Sequence, residues 1–189
     1  MEITASNRDV FEFRSLTEAD GPLLGAFFEG LSKDTRSKYG PHPLTLAHAC
    51  NELCPKVGTD NVSRYIIGSP DKVVGYFIVD FNPYPHEKSR YEAYGVELDF
   101  AHDPVFAPCI ADQYQSLGVA SQAFSALIKT LIQQGVKSLV LMGGTQEPNH
   151  LARRFYKKFG FQELGEFYTD YNGLNNIDMR LMLKEREIT

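Results

Sequence analysis

The sequence has little of three features that would direct it to particular protein classes. It contains only three cysteines in 189 residues, an odd number, so we expect no disulfide scaffold and a reducing, cytoplasmic location. No apolar run approaches the roughly 18 residues of a membrane-spanning helix, and the first nine residues lack the apolar segment of a secretory signal. The net charge of −5 provides no positive surplus for a nucleic-acid surface.

The composition is that of a globular protein with a packed core. Hydrophobic residues make up 43% of the chain and charged residues 23%, close to the globular average. The 13 Phe and 10 Tyr supply more apolar surface than a disordered chain carries. Because domains contain roughly 100–200 residues, residues 1–189 are expected to form a single domain.

The spacing of apolar residues predicts a mixed α/β fold. In the first half we predict a strand at 9–17, helices at 23–31 and about 44–53, and strands at 62–67, 72–81, 94–101 and 105–110. Residues 32–43 and 82–88 are expected to be loops, and Thr17 with Asp20 has capping-box spacing. In the second half we predict helices at 124–132 and 151–159 and strands at 138–142, 161–171 and 177–183. Strands that alternate with helices favour a partly parallel sheet with helices on its faces.

The junction between the strand at 105–110 and the next helix carries the first motif. Gln115 to Ala120 has the pattern Q-x-x-G-x-A. Backbone N–H groups and the positive dipole end make a helix N-terminus suitable for phosphate, and Gly118 lets the backbone approach a pyrophosphate closely. Small residues are also common at helix starts that bind nothing, so this window alone leaves both interpretations open.

A second motif lies in the later helix. Residues 149–161 have the pattern N-x-x-A-x-x-x-Y-x-x-x-G-F. Helical spacing places its polar and small positions on one side and its apolar positions on another side, toward the core. The first side comprises Asn149, Ala152, Arg153 and Tyr156, and the core side comprises Leu151, Phe155 and Phe159.

Together, the two motifs resemble the GNAT superfamily of N-acetyltransferases. Gln115 to Ala120 matches the family's [R/Q]-x-x-G-x-[G/A] acyl-CoA signature, and residues 149–161 match its later helix and following strand. The hairpin at 66–81 and the strand at 178–183 are similar to its central hairpin and last strand, so the resemblance covers most of residues 9–184. It implies a mixed, mostly antiparallel sheet of about six or seven strands with about four flanking helices. A V-shaped splay between the strands ending at Ile110 and at 138–142 would receive acyl-CoA.

The resemblance also implies how acetyl-CoA is held. Backbone groups of Cys109 and Ile110 would hold the pantetheine and the thioester carbonyl, and backbone amides from Gln115 to Ser121 the pyrophosphate. Asn149 would bond the pantetheine arm, and Tyr156 would lie near the sulfur. The implied binding residues are Cys109, Ile110, Gln115, Ser116, Leu117, Gly118, Val119, Ala120, Ser121, Asn149, Ala152, Arg153 and Tyr156. For Arg153 the alternatives are the 3′-phosphate of CoA and a solvated basic face shared with Arg154, Lys157 and Lys158.

The implied reaction is direct transfer of an acetyl group to a primary amine in a ternary complex. The amine must lose a proton before it attacks, and the departing thiolate needs a proton donor, for which Tyr156 is the candidate. Many relatives carry a Glu as base where this chain has Pro104 and Val105. Asp103 and Glu97 are therefore the candidate bases, through water, although each carboxylate could instead be solvated or paired.

Two other chemistries are less favoured by the residues. Cys109 has no recognisable partner for a thiolate, so a small buried residue is the preferred interpretation. A zinc site formed by His42, His48, Cys50 and Cys54 would need four converging ligands, and His48 points elsewhere by helical spacing, so no metal is expected. Residues 32–42 are expected to contribute to the acceptor pocket.

The sequence leaves the acceptor and the acyl group open. An N-acetyltransferase is predicted; the alternatives are the same fold with another acyl-CoA, and a non-catalytic acyl-CoA-binding or sensing module. The acceptor is expected to be a small-molecule or peptide amine, and the net charge of −5 favours a cationic one. No nucleic-acid or membrane partner is expected, and fold analogy alone suggests a homodimer.

Overall fold

The computed structural model of the protein describes residues 1–170 and 172–183. Residue 171, the predicted end of one strand, and residues 184–189 lie outside the described residues. The chain divides into two units, Met1–Asp80 with Ala107–Leu127, and Phe81–Phe106 with Ile128–Thr189. That the chain forms one domain stays a prediction.

The first unit is built on antiparallel strands. In sheet order these are β1 (Glu2–Thr4), β2 (Val10–Ser15), β3 (Val62–Ser69) and β4 (Lys72–Asp80), followed by the last residues of β5 (Val105–Ile110). The predicted hairpin is β3–β4. Every residue of β4 after Lys72 is buried, as expected for a strand covered on both faces.

The helices of the first unit begin at a capping box. Thr17 and Asp20 form it, as predicted, and α1 (Gly21–Gly30) follows. The predicted second helix is α3 (Leu46–His48), continued by a π-helical turn over Ala49–Leu53. It is capped by Thr45 and starts later than predicted, because the Thr45 side chain accepts the His48 N–H at 3.1 Å.

Residues 32–43, predicted as loop, contain a short helix. This is α2 (Lys33–Ser37), and its N-cap is Ser32, whose side chain accepts the Thr35 N–H at 3.1 Å. The prediction missed α2 because none of its residues is buried, so it has no apolar periodicity.

The second unit contains one parallel pairing and several antiparallel ones. The first residues of β5 pair in parallel with β6 (Ser138–Leu141), and β9 (Leu174–Met182) pairs antiparallel with β6, β7 (Thr145–Gln146) and β8 (Gln162–Thr169). The helices of this unit are α4 (Pro85–Ala93) and α6 (His150–Phe159). Helix α5 (Val119–Gln133) contributes residues to both units.

The predictions for residues 82–101 are wrong. The predicted loop at 82–88 contains the start of α4, and the predicted strand at 94–101 is irregular. Leu98 and Phe100 are buried in a cluster with Tyr91, so alternate side chains do face inward. However, the backbone turns at Asp99, whose carbonyl accepts the Asp103 N–H at 2.6 Å. The alternation of apolar side chains in this segment reflects a loop anchored by its buried side chains, and not the hydrogen-bonded ladder of a β-strand.

The fold class is confirmed as mixed α/β with a largely antiparallel sheet. The described residues form nine strands and six α-helices, more than the six or seven strands and four helices predicted. The additional elements are short or polar: β1, β7, α2 and α4. No described helix has both the length and the apolar character needed to span a membrane.

Candidate active site

The loop between β5 and α5 ends in two left-handed residues. Ser116 has φ +62° and Gly118 has φ +82°. Gln122 N–H donates to the Gly118 carbonyl at 3.1 Å, so the amides of Gly118, Val119 and Ala120 precede the intrahelical ladder of α5. The predicted phosphate-binding motif thus lies at a helix N-terminus, where N–H groups and the dipole favour an anion.

Strand β1 and the turn after it hold this loop from one side. Ser6 donates both its backbone N–H and its hydroxyl to the Leu117 carbonyl, at 3.0 and 3.1 Å. The Gln122 side chain donates to the Thr4 carbonyl at 2.7 Å and accepts the Thr4 N–H at 3.3 Å. Sequence reasoning missed these contacts, because residues more than a hundred positions apart carry no common local signal.

Helix α2 holds the loop from another side. The Gln115 side-chain NH₂ donates to the Ile110 carbonyl at 3.1 Å and to the Thr35 hydroxyl at 3.0 Å. Asp112 accepts the Thr35 hydroxyl at 2.7 Å, the Ser32 N–H at 2.9 Å, and the Ser32 hydroxyl. Burial opposes ionisation of Asp112, but these hydrogen bonds leave its pKa below the usual value. The predicted acceptor segment is therefore hydrogen-bonded to the signature motif.

Cys109 precedes the end of β5 and is buried. Burial raises the pKa of its thiol to about 12, so the thiolate needed for covalent catalysis does not form near neutral pH. This supports the interpretation of Cys109 as a small buried residue. Next to it, a Cβ on Gly75 would lie 2.8 Å from Ile110 Cδ1, so the glycine permits close packing against the strand end.

Helix α6 begins and ends with defined caps. Asn149 is its N-cap, and its Oδ1 accepts the Ala152 N–H at 3.2 Å. At the other end Gly160 has φ +90°, its N–H donates to the Lys157 carbonyl and the Phe161 N–H donates to the Tyr156 carbonyl, both at 3.0 Å. These two bonds form a Schellman motif.

The predicted core side of α6 is wrong for Leu151 and omits Tyr156. Leu151 is 39% exposed and Tyr156 only 7%, while Phe155 and Phe159 are half-buried. The Schellman turn brings Phe161 against Tyr156, with ring centroids 5.1 Å apart, as such motifs commonly do. The buried position of Tyr156 therefore has a structural cause that is independent of catalysis.

Two basic residues of α6, Arg153 and Lys157, are paired within the protein. Arg153 donates to the Glu147 carbonyl and to Glu163 Oε1, both at 3.0 Å, and Lys157 Nζ lies 3.1 Å from the same Glu163 oxygen. The Lys157 and Arg153 contacts lower the pKa of Glu163. The role of Arg153 at the 3′-phosphate stays a prediction, with Glu163 as a competing partner.

The two candidate bases differ in surroundings. Asp103 is buried, lies 3.0 Å from the Arg180 guanidinium, and accepts the Ser138 hydroxyl and the Asp99 N–H. The Asp103 carboxylate is therefore paired and not solvated, and its oxygens are already occupied by donors that would compete with a substrate proton. Glu97 is exposed, where water reaches its carboxylate.

The residues considered for zinc have other surroundings. The rings of His42 and His48 are 5.0 Å apart, and burial lowers the pKa of His42 to about 4. Cys54 is buried, and burial raises the pKa of its thiol to about 11. Over residues 1–170 and 172–183, no group of three or more His, Cys, Asp or Glu could hold a metal ion.

A family comparison identifies the class of protein. The profile of the acetyltransferase (GNAT) family matches residues 25–161, which is more than half of the chain. The chain belongs to the GNAT family. The match begins in α1 and ends at Phe161, so it includes both motifs.

Solved structures of GNAT acetyltransferases share the fold. The GNAT domain of S. lividans PAT is 12% identical, with a TM-score of 0.71 over 97% of this chain and 96% of that one. Ribosomal-protein-S5-alanine acetyltransferase from Vibrio fischeri is 13% identical, with 0.72 over 93% and 94%. Aminoglycoside acetyltransferase AAC(6′)-Ib in complex with coenzyme A is 22% identical, with 0.66 over 91% and 94%. At these identities the likeness shows the fold alone. No curated protein sequence matches the chain.

Proposed function

We propose that this GNAT protein is an N-acetyltransferase that moves an acetyl group from acetyl-CoA to a primary amine by direct transfer in a ternary complex. The observation that carries the proposal is the β5–α5 loop, where the acyl-CoA signature lies at a helix N-terminus with Ser116 and Gly118 left-handed. Family membership supports the transferase class, and the loop supports the acyl donor.

The residues of the loop fit an acyl-CoA diphosphate. The segment from Gln115 to Ser121 contains no acidic side chain that would repel the phosphates. The amides of Gly118, Val119 and Ala120 lie ahead of the helical ladder and supply neutral donors, as anion sites at helix N-termini require. Bound acetyl-CoA supplies an activated acetyl thioester. Backbone groups of Cys109 and Ile110 are proposed to hold its reactive end.

The transfer requires movement of protons. A C–N bond forms as the thioester C–S bond breaks. An acceptor that arrives as an ammonium ion loses two protons in all, one before the attack and one as the amide forms; the thiolate gains one proton and the other passes to solvent. An alkyl amine has a pKa of about 10.4 in water, so it must be deprotonated before it attacks. Tyr156 is proposed to donate the proton to the thiolate, and the Asn149 side-chain NH₂ to bond the pantetheine arm.

Of the two carboxylates, Glu97 is the proposed proton acceptor, through water. Its exposure permits a water chain, whereas the Asp103 carboxylate is paired with Arg180 at 3.0 Å. The proposal predicts that Glu97→Gln shifts the pH at which turnover is half-maximal, and that Asp103→Asn does not.

A second candidate function is a non-catalytic acyl-CoA-binding or sensing module. The specific observation in its favour is that Val105, at a position where relatives carry a base, is fully buried in β5. A larger acyl group in the same fold is the other alternative. Both alternatives predict acyl-CoA binding. Absence of turnover would distinguish the binding module from the leading proposal, and a preference for a longer acyl-CoA would distinguish the transferase of a larger acyl group.

The proposed acceptor is a small-molecule or peptide amine. Two fold neighbours are named as acetyltransferases of a ribosomal protein and of aminoglycosides, which are both amine-bearing substrates. The net charge of −5 favours a cationic acceptor through steering. A homodimer that binds neither nucleic acid nor membrane is the proposed assembly.

The Tyr156→Phe variant tests the catalytic proposal. Phenylalanine keeps the ring packed against Phe161 and removes only the hydroxyl, so the fold should persist. We expect CoA release with a panel of amines (polyamine, aminoglycoside, peptide) to fall by about 10²-fold or more, and the dissociation constant of acetyl-CoA to change less than about 3-fold.

Tyr168→Phe is the matched control, since Tyr168 is 62% exposed on β8. It should retain wild-type turnover. Wild-type turnover in Tyr156→Phe would show that Tyr156 is not the acid. Acetyl-CoA binding without turnover on any amine of the panel would favour the binding module.

A further inference from the structure

Helix α2 and the acyl-CoA signature are joined by one hydrogen-bonded group. The two N–H bonds of the Gln115 side chain are divided between Ile110, at the end of β5, and Thr35, in α2. Thr35 in turn donates to Asp112 at 2.7 Å. These bonds link α2 to the first residue of the signature and to the strand end beside it.

Asp112 connects the loop to the first turn of α2. Its carboxylate accepts the N–H and hydroxyl of Ser32, the N-cap of the helix. A carboxylate at this end complements the helix dipole. Because α2 has only five residues, it is too short to be stable alone, and its first turn depends on partners such as Asp112.

Arg36 anchors α2 on the preceding helix. Arg36 donates to the Phe28 carbonyl at the end of α1 and, at 2.7 Å, to the Leu44 carbonyl. The segment that the family resemblance implicates in acceptor binding is therefore held between α1 and the β5–α5 loop. Ser32 and Thr35 supply its hydrogen bonds to Asp112 and Gln115 of the loop.

We propose that Thr35 and Asp112 are positioning residues that couple acyl-CoA binding on the loop to the order of α2. The inference rests on the proposed function and deepens it: a bound acyl-CoA restrains the loop, Gln115 transfers that restraint to Thr35, and α2 is held in place for the amine. The coupling is reciprocal: the factor by which bound acyl-CoA favours the ordered α2 is also the factor by which disruption of α2 weakens acyl-CoA binding.

The experiment measures amide hydrogen exchange of the full chain with and without acetyl-CoA. In the wild type, acetyl-CoA should slow exchange at residues 115–122 and also at residues 33–38, by at least about 5-fold at each. Thr35→Val is close in shape but can neither donate to Asp112 nor accept from Gln115. In this variant residues 115–122 should still be protected, while the ligand-dependent protection of residues 33–38 is lost. The dissociation constant of acetyl-CoA should rise at least about 5-fold, which is the usual effect of a single lost hydrogen bond, because this variant loses two.

Two further variants make the result specific. Thr35→Ser restores the hydroxyl and should restore the coupling, which a purely steric effect would not. Thr59→Val is the matched control, because the Thr59 hydroxyl donates to the Lys56 carbonyl, outside α2 and the loop, and it should behave as wild type. If Thr35→Val fails to fold, Asp112→Ala, which removes the acceptor of both Ser32 and Thr35, tests the coupling from the loop side.

The outcomes distinguish the two proposals. Protection at residues 115–122 with no ligand effect at residues 33–38 in the wild type overturns the coupling and leaves the proposed function intact. Unchanged coupling in Thr35→Val also overturns it. Absence of protection at residues 115–122 overturns the acyl-CoA site itself, and the coupling with it.

Discussion

Substitution of Gly118 strains the backbone of the β5–α5 loop without creating a steric clash, and therefore tests the loop's role in binding phosphate. Gly118 has φ +82°, and a Cβ there would meet nothing closer than the Gln122 side-chain nitrogen at 3.8 Å and the Ser6 hydroxyl at 4.0 Å. An alanine therefore fits in space but is strained by its backbone conformation. The strain amounts to about 1–2 kcal/mol, and the reduced freedom of the unfolded chain offsets about 0.4–1 kcal/mol of it.

Gly118→Ala should consequently lower the free energy of unfolding by about 1 kcal/mol. If the loop relieves the strain by leaving the left-handed region, its amides are re-aimed, and the penalty appears in acetyl-CoA binding instead. A strain of about 1–2 kcal/mol corresponds to a loss of affinity of about 5–30-fold. Urea unfolding and isothermal titration with acetyl-CoA measure the two quantities.

Gly135→Ala is the matched control, just beyond the C-terminal end of the same helix. Gly135 also has φ +82°, and a Cβ there would contact nothing within 4 Å. It should lose a similar amount of stability and keep wild-type affinity for acetyl-CoA. Two results would refute the assignment of the loop as the phosphate site. One is an equal loss of affinity for acetyl-CoA in both variants. The other is unchanged affinity in Gly118→Ala together with an unchanged free energy of unfolding, which indicates that the loop has relaxed.

Two further predictions concern buried carboxylates. The Arg14 hydrogen bond holds the pKa of Asp20 at about 2, against an ordinary value of 3.8. Asp20→Asn should therefore lower the free energy of unfolding by about 2 kcal/mol at neutral pH. This stabilisation is complete above the unfolded pKa and is lost as pH falls through the folded one, so the difference should shrink between about pH 4 and pH 2; a constant difference would contradict the ion pair. Glu52→Gln, at an exposed pair, is the control and should change stability less. Asp103→Asn should destabilise by about 2 kcal/mol, since the Arg180 charge loses its partner, without altering the pH dependence of turnover; loss of the acidic limb of that profile would make Asp103 the base.

The sequence predicted elements whose periodicity and caps are local. Strand β5 has the predicted bounds Val105–Ile110. Helix α6 was found through its apolar spacing and through Gly160, whose φ of +90° ends the helix. In both cases the signal lies within a few residues of the element, so no tertiary information was needed.

The sequence analysis missed helix α4 because its buried face contains no row of apolar residues at helical spacing. Its buried residues are Glu87 and Tyr91, a carboxylate and an aromatic ring, and helical periodicity counts only one of them. The Glu87 carboxylate accepts the Gly143 N–H at 3.2 Å, a contact that depends on the fold. Pro85 at the first helical turn was the available sequence signal, since proline is favoured there.

The motif of the candidate site could be identified from the sequence, but the hydrogen bonds that hold the motif in place could not. Gln115 and Gly118 were identified from the signature, and the left-handed conformation of Gly118 agrees with that choice. The bonds of Asp112 to Ser32 and Thr35 join residues 77–80 positions apart. Pairings of this kind depend on how the chain folds back, and no local pattern records them.

The central claim is that the Gln115–Ala120 loop binds acyl-CoA, and thermal unfolding with added ligands tests it most directly. Acetyl-CoA, free CoA and ATP are compared, each at about 100 times a plausible dissociation constant, where binding stabilises the folded state by about 2.7 kcal/mol. The account predicts a clear rise in melting temperature with acetyl-CoA and CoA, and none with ATP. No rise with either CoA species would contradict the claim.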